Sequence, residues 1–348
     1  MNTKNSLKVI LLILVCLLLL NIVGCTSTKI DKSNSTEDDK IVLTVAVGAF
    51  TPETPRGQLY SMLEEKLTEV FGERFEWNML TPGSIGADKD MMTACISGEV
   101  DFINLGDMVA DMLTGKLGWA FLPMMYSDYN DVDERYFNGW VAEEIEKAYE
   151  EMGLIKVGNM EGGFRMPANT KREIKSMDDF KGLKLRVAEI SYLTNFYKYC
   201  GALPIAMANT EVITSIEQGA IDGQDNYLTA MKNMGTLEMT KYISKLNYLY
   251  CGNSLLVSKK FWDGLSPEDQ VAFKQVCTDC GNNIIPIARE DEMNIQNEGI
   301  ANSSLVFTEP SEEFKLEVKK IAMRVWEEES VKYDTRLMER VFAEFGIE

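Results

Sequence analysis

The sequence predicts an α/β protein built as two lobes, each a mixed, mostly parallel sheet flanked by helices. Three observations predict it. From Ile41 onward, apolar runs of strand length alternate with amphipathic helical stretches, the pattern of parallel sheets covered by helices. One helix-to-strand element occurs twice: Met91-Met-Thr-Ala-Cys-Ile-Ser-Gly-Glu-Val-Asp101 and Val212-Ile-Thr-Ser-Ile-Glu-Gln-Gly-Ala-Ile-Asp222 both run helix, glycine, one residue, β-branched residue, aspartate. A common helix-to-strand loop used twice would give the same echo. Finally, 348 residues with 45% hydrophobic and 26% charged side chains have the composition of a globular chain and suffice for one large core or two medium ones.

In chain order, the first segment is a leader. Lys4 and Lys8 precede an apolar run from Val9 to Leu20 that is short and early for a membrane span and reads as a secretory signal. Ile22-Val-Gly-Cys25 then resembles a bacterial lipobox, which implies a signal peptide over residues 1–24 and a lipid on the Cys25 thiol. An uncleaved anchor with an incidental cysteine is the alternative, and either way the folded part lies outside the cytoplasm. Residues 25–40, polar and rich in Ser, Thr and Asp, have no apolar periodicity and predict a flexible tether.

Ile41 to Phe50 is β-branched and apolar, the composition of a buried first strand. Leu59, Met62, Leu63, Leu67, Val70 and Phe71 recur at three- and four-residue spacing and predict a helix, and Phe75 to Leu80 a second strand. In the repeated element, Gly98 and Gly219 should close their helices, with Val100 and Ile221 entering the next strands. Ser266 before Pro267 is a helix start. Gly281 and Pro286 should interrupt or kink that helix, because an interior proline removes a hydrogen bond and clashes with the preceding turn. Phe314, Val318, Ile321 and Val325 form the stripe of a C-terminal helix whose solvated end would be Glu327-Glu-Glu329.

The stretch Ile174-Lys-Ser-Met-Asp-Asp-Phe-Lys-Gly-Leu-Lys-Leu-Arg-Val187 carries the most chemistry. Ser176 can cap a short turn with Asp179 reaching back, and Gly182 ends that turn before a strand. Leu183, Leu185 and Val187 alternate with Lys184 and Arg186, so Arg186 points away from the face those apolar residues bury, and there it needs an anionic partner. This stretch resembles the signature of solute-binding proteins of tripartite ATP-independent periplasmic (TRAP) transporters, the DctP-like family. Pro82-Gly-Ser-Ile-Gly86, Gly98-Glu-Val-Asp101, Gly201-Ala-Leu-Pro204, Glu211-Val212, Gly219 to Asn226, Val257-Ser258 and Trp262 to Pro267 continue the resemblance in order over nearly all of the chain after its first forty residues.

The resemblance implies a periplasmic-binding-protein-like fold with a ligand cleft between the lobes. Lobe I would span residues 41–162 plus about 251–290 and lobe II residues 163–250 plus about 291–348, hinged at Gly162-Gly163. It implies that Arg186 clamps the carboxylate of a small organic acid, a task suited to the paired donors of a guanidinium. A pair with Glu189 is the alternative. Arg165 matches a second arginine near the family's ligand, with an exposed strand-end charge near the hinge as the alternative. Asn226 matches an asparagine that hydrogen-bonds the same carboxylate, and here Tyr227 replaces the family's following proline. Asn209, Asp88 and Asn104 fall near the variable end of family ligands, where each could instead be a cap or turn residue. The implied partners are the small and large membrane subunits of a TRAP permease, and no cofactor or reaction is implied.

Composition narrows the alternatives. A formal charge of −19 opposes nucleic-acid binding, and the absence of histidine removes Ser-His triads and the commonest zinc ligand. A secreted hydrolase using paired carboxylates needs no histidine, but no carboxylate pair carries a distinctive motif. A ligand-sensing lipoprotein docking on a receptor would share the binding features. Cys95, Cys200, Cys251, Cys277 and Cys280 are odd in number and scattered, so they predict no disulfide framework. Cys277-Thr-Asp-Cys280 lies in a helical run without a second pair, as core thiols would. The twenty methionines read mainly as core, and Tyr126, Tyr129 and Trp140 as cleft wall or core.

Overall fold

The computed structural model describes residues 40–346. The expected leader, the Cys25 lipidation site and all of the tether but Lys40 lie outside the described residues. Residues 41 onward form one compact unit.

Its first half runs β1 (Ile41–Ala46), α1 (Pro55–Phe71), β2 (Phe75–Met79), α2 (Asp88–Ser97), β3 (Phe102–Gly106), α3 (Met108–Thr114), α4 (Tyr129–Asp131) and α5 (Trp140–Glu151). The long strand β4 (Leu154–Asn169) comes next, then β5 (Lys184–Val187), α6 (Ser191–Cys200), β6 (Leu203–Ala206), α7 (Val212–Glu217), β7 (Gly223–Asn226) and α8 (Leu228–Asn233). The chain ends with β8 (Tyr242–Ser244), β9 (Leu249–Ser258), α9 (Lys259–Gly264), α10 (Pro267–Ala301), β10 (Val306–Thr308), α11 (Glu312–Ser330) and α12 (Thr335–Phe345).

The strand order is β2-β1-β3-β9-β4-β7-β5-β6, with β8 pairing both β4 and β10. Pairs β1–β2 and β1–β3 are parallel, as are β5–β6 and β5–β7, so each wing is the parallel α/β sheet that the alternation of elements predicts. Antiparallel β4 and β9 join the wings. Near its middle β4 shifts register between Met160 and Gly163, and beyond that point it takes β7 and β8 as further partners. Glycine is required at the bulge. A Cβ on Gly162 would stand 1.8 Å from the Cys251 carbonyl oxygen, and Gly163 has φ 135°.

The sequence echo is a structural one. Gly98 and Gly219 take left-handed φ of 72° and 68°. After each helix the aspartate pairs with the first strand of its wing. The Asp101 N–H donates to the Thr44 carbonyl at 2.8 Å and its Oδ2 accepts from the Thr44 N–H at 2.9 Å. Asp222 does the same with Lys184, at 2.8 and 3.0 Å. The strands begin two residues later than expected, at Phe102 and Gly223.

Local signals explain the remaining elements. Thr54 caps α1 ahead of Pro55, and Leu59, Leu63, Leu67 and Phe71 form its buried face. Ser176 and Asp179 form the expected capping box around a turn over Met177–Phe180, with Gly182 at φ 74°. Ser266 caps α10, which runs through Gly281 and Pro286 without a break, contrary to the expected interruption. Gly281 is there for close packing, since a Cβ would lie 2.3 Å from the Asn159 carbonyl oxygen of β4. The acidic end of α11 is not fully solvated either. Glu329 is buried and ion-pairs with Lys332 at 2.7 Å. Cys277 and Cys280 are buried free thiols in α10, as their helical setting implies. Among the described residues, no helix is long and apolar enough to cross a membrane.

Candidate functional site

Between the wings lies a cavity of about 370 Å³, in the range of small-molecule sites. Five of the six residues singled out in the sequence, Arg165, Arg186, Asn226, Asn209 and Asp88, line it. Asn104 does not. It stands next to Leu105, which does reach the cavity, and the two-residue period of β3 turns Asn104 to the other face, where its Nδ2 donates to the Ser254 carbonyl at 3.3 Å. Tyr126, Tyr129 and Trp140 also lie off the cavity. Trp140 stacks on Trp119, Tyr126 is packed among Tyr136, Tyr250 and Phe345, and the Tyr129 hydroxyl donates to Glu292.

Arg186 is delivered by β5 as the alternation of that strand requires. The side chain is only 2% exposed, and its Nε and Nη2 donate to a single acceptor, the Met207 carbonyl, at 3.0 and 2.8 Å. Among the described residues no carboxylate pairs with it, and Glu189, the alternative partner, instead binds Lys89 at 2.6 Å. Burial, and then the neighbouring charge of Arg165, lower its pKa to about 10. A cation so placed is short of negative charge.

Arg165, from the second half of β4, is differently employed. It is no exposed strand-end charge: it is 5% exposed, its Nε pairs with Asp225 Oδ2 at 2.8 Å, and its Nη2 donates to the Asp225 carbonyl at 2.6 Å. The Tyr197 hydroxyl donates to the other Asp225 oxygen at 3.0 Å, fixing the pair from behind. Burial is the largest single influence and would lower the Arg165 pKa, but the groups around it, Asp225 foremost with Tyr248 and Cys251, together outweigh it and the guanidinium is held charged. Asn226, at the end of β7, accepts from the Tyr227 N–H at 3.1 Å, and its Nδ2 has only the Met234 sulfur at 3.6 Å. That donor is nearly free for a ligand oxygen. Tyr227 keeps the backbone extended at the N-cap of α8, and its ring joins the cavity wall.

Asp88 and Asn209 meet each other. The Asn209 Nδ2 donates to Asp88 Oδ2 at 2.9 Å, and together with Lys89–Glu189 this ties the start of α2 to the loops after β5 and β6. The residue that sequence reasoning misses is Arg56. It lies in the first turn of α1 behind the Thr54 cap, lines the cavity, and among the described residues its buried Nε has no hydrogen-bond partner, although the guanidinium also meets the Tyr227 side chain. Its sequence context is that of any helix start, so only a search for charges beside capped loops could find it. The apolar wall of Leu105, Met108, Val109 and Met112 likewise has a sequence pattern that reads only as core. No group of three or more His, Cys, Asp or Glu placed to hold a metal occurs among the described residues.

Known proteins match this chain along most of its length. The family model described as "Bacterial extracellular solute-binding protein, family 7", DctP, matches residues 47–332. A 2,3-diketo-L-gulonate-binding periplasmic protein of Escherichia coli is 26% identical over 71% of this chain and 76% of its own length. A C4-dicarboxylate-binding periplasmic protein of Rhodobacter capsulatus is 26% identical over 78% of this chain and 80% of its own length. In fold, a sugar acid binding protein of Advenella mimigardefordensis, solved with galactonate, superposes with a TM-score of 0.81 at 23% identity, covering 87% of this chain and 97% of that one. A TRAP periplasmic solute binding protein of Shewanella oneidensis, solved with succinate, gives a TM-score of 0.80 at 19% identity, covering 87% and 99%.

Proposed function

The chain belongs to the DctP family of bacterial extracellular solute-binding proteins, a family of TRAP-transporter binding proteins and not of enzymes, and from that premise we propose that it captures a small organic acid through the Arg186 guanidinium. The observation that carries this reading is the state of Arg186, buried on the cavity with one carbonyl as its acceptor and no carboxylate partner among the described residues. Removing a charge from water is costly unless an opposite charge compensates it. A ligand carboxylate supplies that charge and accepts the fork of donors. Asn226 adds a second donor to the same oxygen pair, and Arg165, its charge balanced by Asp225, steers the carboxylate without attracting a second anion.

The captured acid is then handed to a TRAP-type permease of one small and one large membrane subunit. The protein acts from the membrane surface through a lipid on Cys25, the role implied by Ile22-Val-Gly-Cys25. Lobe I comprises residues 41–162 with about 251–290, and lobe II residues 163–250 with about 291–348. The change of strand partners at the Gly162-Gly163 bulge supports a division there.

Calorimetric titration of Arg186→Lys tests the clamp. Lysine keeps the charge but loses the planar fork. A hydrogen bond to a charged group contributes roughly 1.5–3 kcal/mol, so affinity for a bound acid should fall by about tenfold or more. Unchanged affinity would make Arg186 structural. Mass spectrometry of the mature protein tests the anchor, and an unmodified Cys25 would refute it.

A further inference from the structure

The cavity wall is mixed in chemistry. Arg165, Arg186 and Asn226 stand on one side, and the corner of β3 and α3 on the other. From that corner Leu105, Met108, Val109 and Met112 face the space, and Met91 of α2 joins them. Met108 and Met112 are four residues apart and so share one face of α3. None of these side chains can donate a hydrogen bond, and only the methionine sulfurs accept one, weakly.

Some of the nearby polar groups have partners and others do not. Asp88 bonds to Asn209 and Lys89 to Glu189, whereas Arg56, whose guanidinium also meets the Tyr227 side chain, keeps its buried Nε without a partner among the described residues. Granted the carboxylate reading above, we infer that the ligand is a small monocarboxylate with one further acceptor oxygen for Arg56 and an apolar chain lying against α3. A branched or aromatic 2-oxo acid has this chemistry. Sugar acids and short dicarboxylates do not.

The reason is desolvation. A sugar acid carries a hydroxyl on nearly every carbon, and those facing Met108, Val109 and Met112 would give up water without gaining a partner. Each unpaired buried hydroxyl weakens binding by about tenfold. Asn209 Oδ1 and Asn233 Oδ1, unpaired among the described residues, and the spare acceptor sites of Asp88 and Glu189 could receive some hydroxyls, but none of them lies on the wall of Met108, Val109 and Met112. A short dicarboxylate satisfies Arg56 but leaves the apolar wall uncovered. The volume of about 370 Å³ is enough for an acid of this kind.

The test is calorimetric titration of the full chain, verified ligand-free, with 4-methyl-2-oxopentanoate, 4-methylpentanoate, galactonate and succinate. The oxo acid should bind at least about tenfold more tightly than galactonate or succinate. It should also bind more tightly than 4-methylpentanoate, and Arg56→Met should narrow that second gap to under about threefold. If Arg56→Met does not fold, Arg56→Lys serves, and the wild-type panel decides the role of the wall by itself. Tighter binding of galactonate or succinate overturns this ligand class and leaves the carboxylate clamp standing. Binding of none of the four, or binding that Arg186→Lys does not weaken, overturns both. An unchanged gap in the Arg56 variant removes Arg56 from the ligand contacts.

Discussion

Glu292 of α10 is a buried carboxyl beside the β4 bulge, within 3.7 Å of where a Cβ on Gly163 would stand. It accepts from the Tyr129 hydroxyl, and Glu161, Arg289 and Lys245 are the charges around it. Burial is the main cause that lifts its pKa from 4.5 to about 7. Below the unfolded value the group is protonated in both states and stability is unaffected. As pH rises from about 4.5 to 7 the unfolded chain ionises first, so stability is lost across that window and stays low above it. Glu292→Gln keeps the shape without the charge, so urea unfolding should show the variant gaining on the wild type between pH 4.5 and 8, by on the order of 2–3 kcal/mol. A constant difference across that range would mean that Glu292 is ionised throughout. Residues differ in how far sequence exposes them. Arg186 is legible because strand alternation fixes its face, and Asn104 is misplaced near the ligand although that same period turns it away. Arg56 stays hidden because its place on the cavity depends on distant segments of the chain meeting there, which no local pattern records.

At the scale of elements, α10 and β4 meet through glycines. A Cβ on Gly281 would stand 2.3 Å from the Asn159 carbonyl oxygen, and one on Gly158 2.8 Å from the Cys277 carbonyl oxygen. In both cases the obstacle is backbone, which cannot swing aside as a side chain can. Gly281→Ala raises helix propensity by roughly 1 kcal/mol, which in an exposed helix would stabilise. Here the overpacking cost of about 1–3 kcal/mol should win, so the variant should unfold at lower urea than wild type. A rise in the midpoint would show that α10 can move off the strand. The same contact accounts for a glycine in the middle of α10. Sequence shows Gly281 as a poor helix former, whereas its use is proximity to a strand more than a hundred residues earlier. The Gly98 and Gly219 elements are readable because their information is local: a left-handed cap, a β-branched residue and an aspartate that pairs with the neighbouring strand.

On the scale of the whole molecule, the cavity is bridged by the Asp88–Asn209 hydrogen bond and the Lys89–Glu189 ion pair. The side chains of that ion pair are 37% and 38% exposed, and pairs of this kind contribute about 0–1 kcal/mol. The ion pair is too weak to hold two lobes closed by itself, but the two links together can shift a balance that ligand contacts from both sides complete. On the division of lobes proposed above, Arg165, Arg186 and Asn226 fall in lobe II and the α3 wall in lobe I, so the carboxylate should dock on lobe II first and lobe I should close over it. Scattering from ligand-free protein should therefore give a larger radius of gyration than from protein saturated with a tight-binding acid. Asn209→Ala combined with Lys89→Ala should widen the ligand-free form and lower apparent affinity by about three- to tenfold, because the binding-competent fraction falls while the clamp is untouched. High salt should mimic only the Lys89 part, since screening weakens an exposed ion pair far more than a neutral amide's hydrogen bond. Identical scattering with and without ligand, together with wild-type affinity in the double variant, would mean a rigid cavity in which the two bridges play no part.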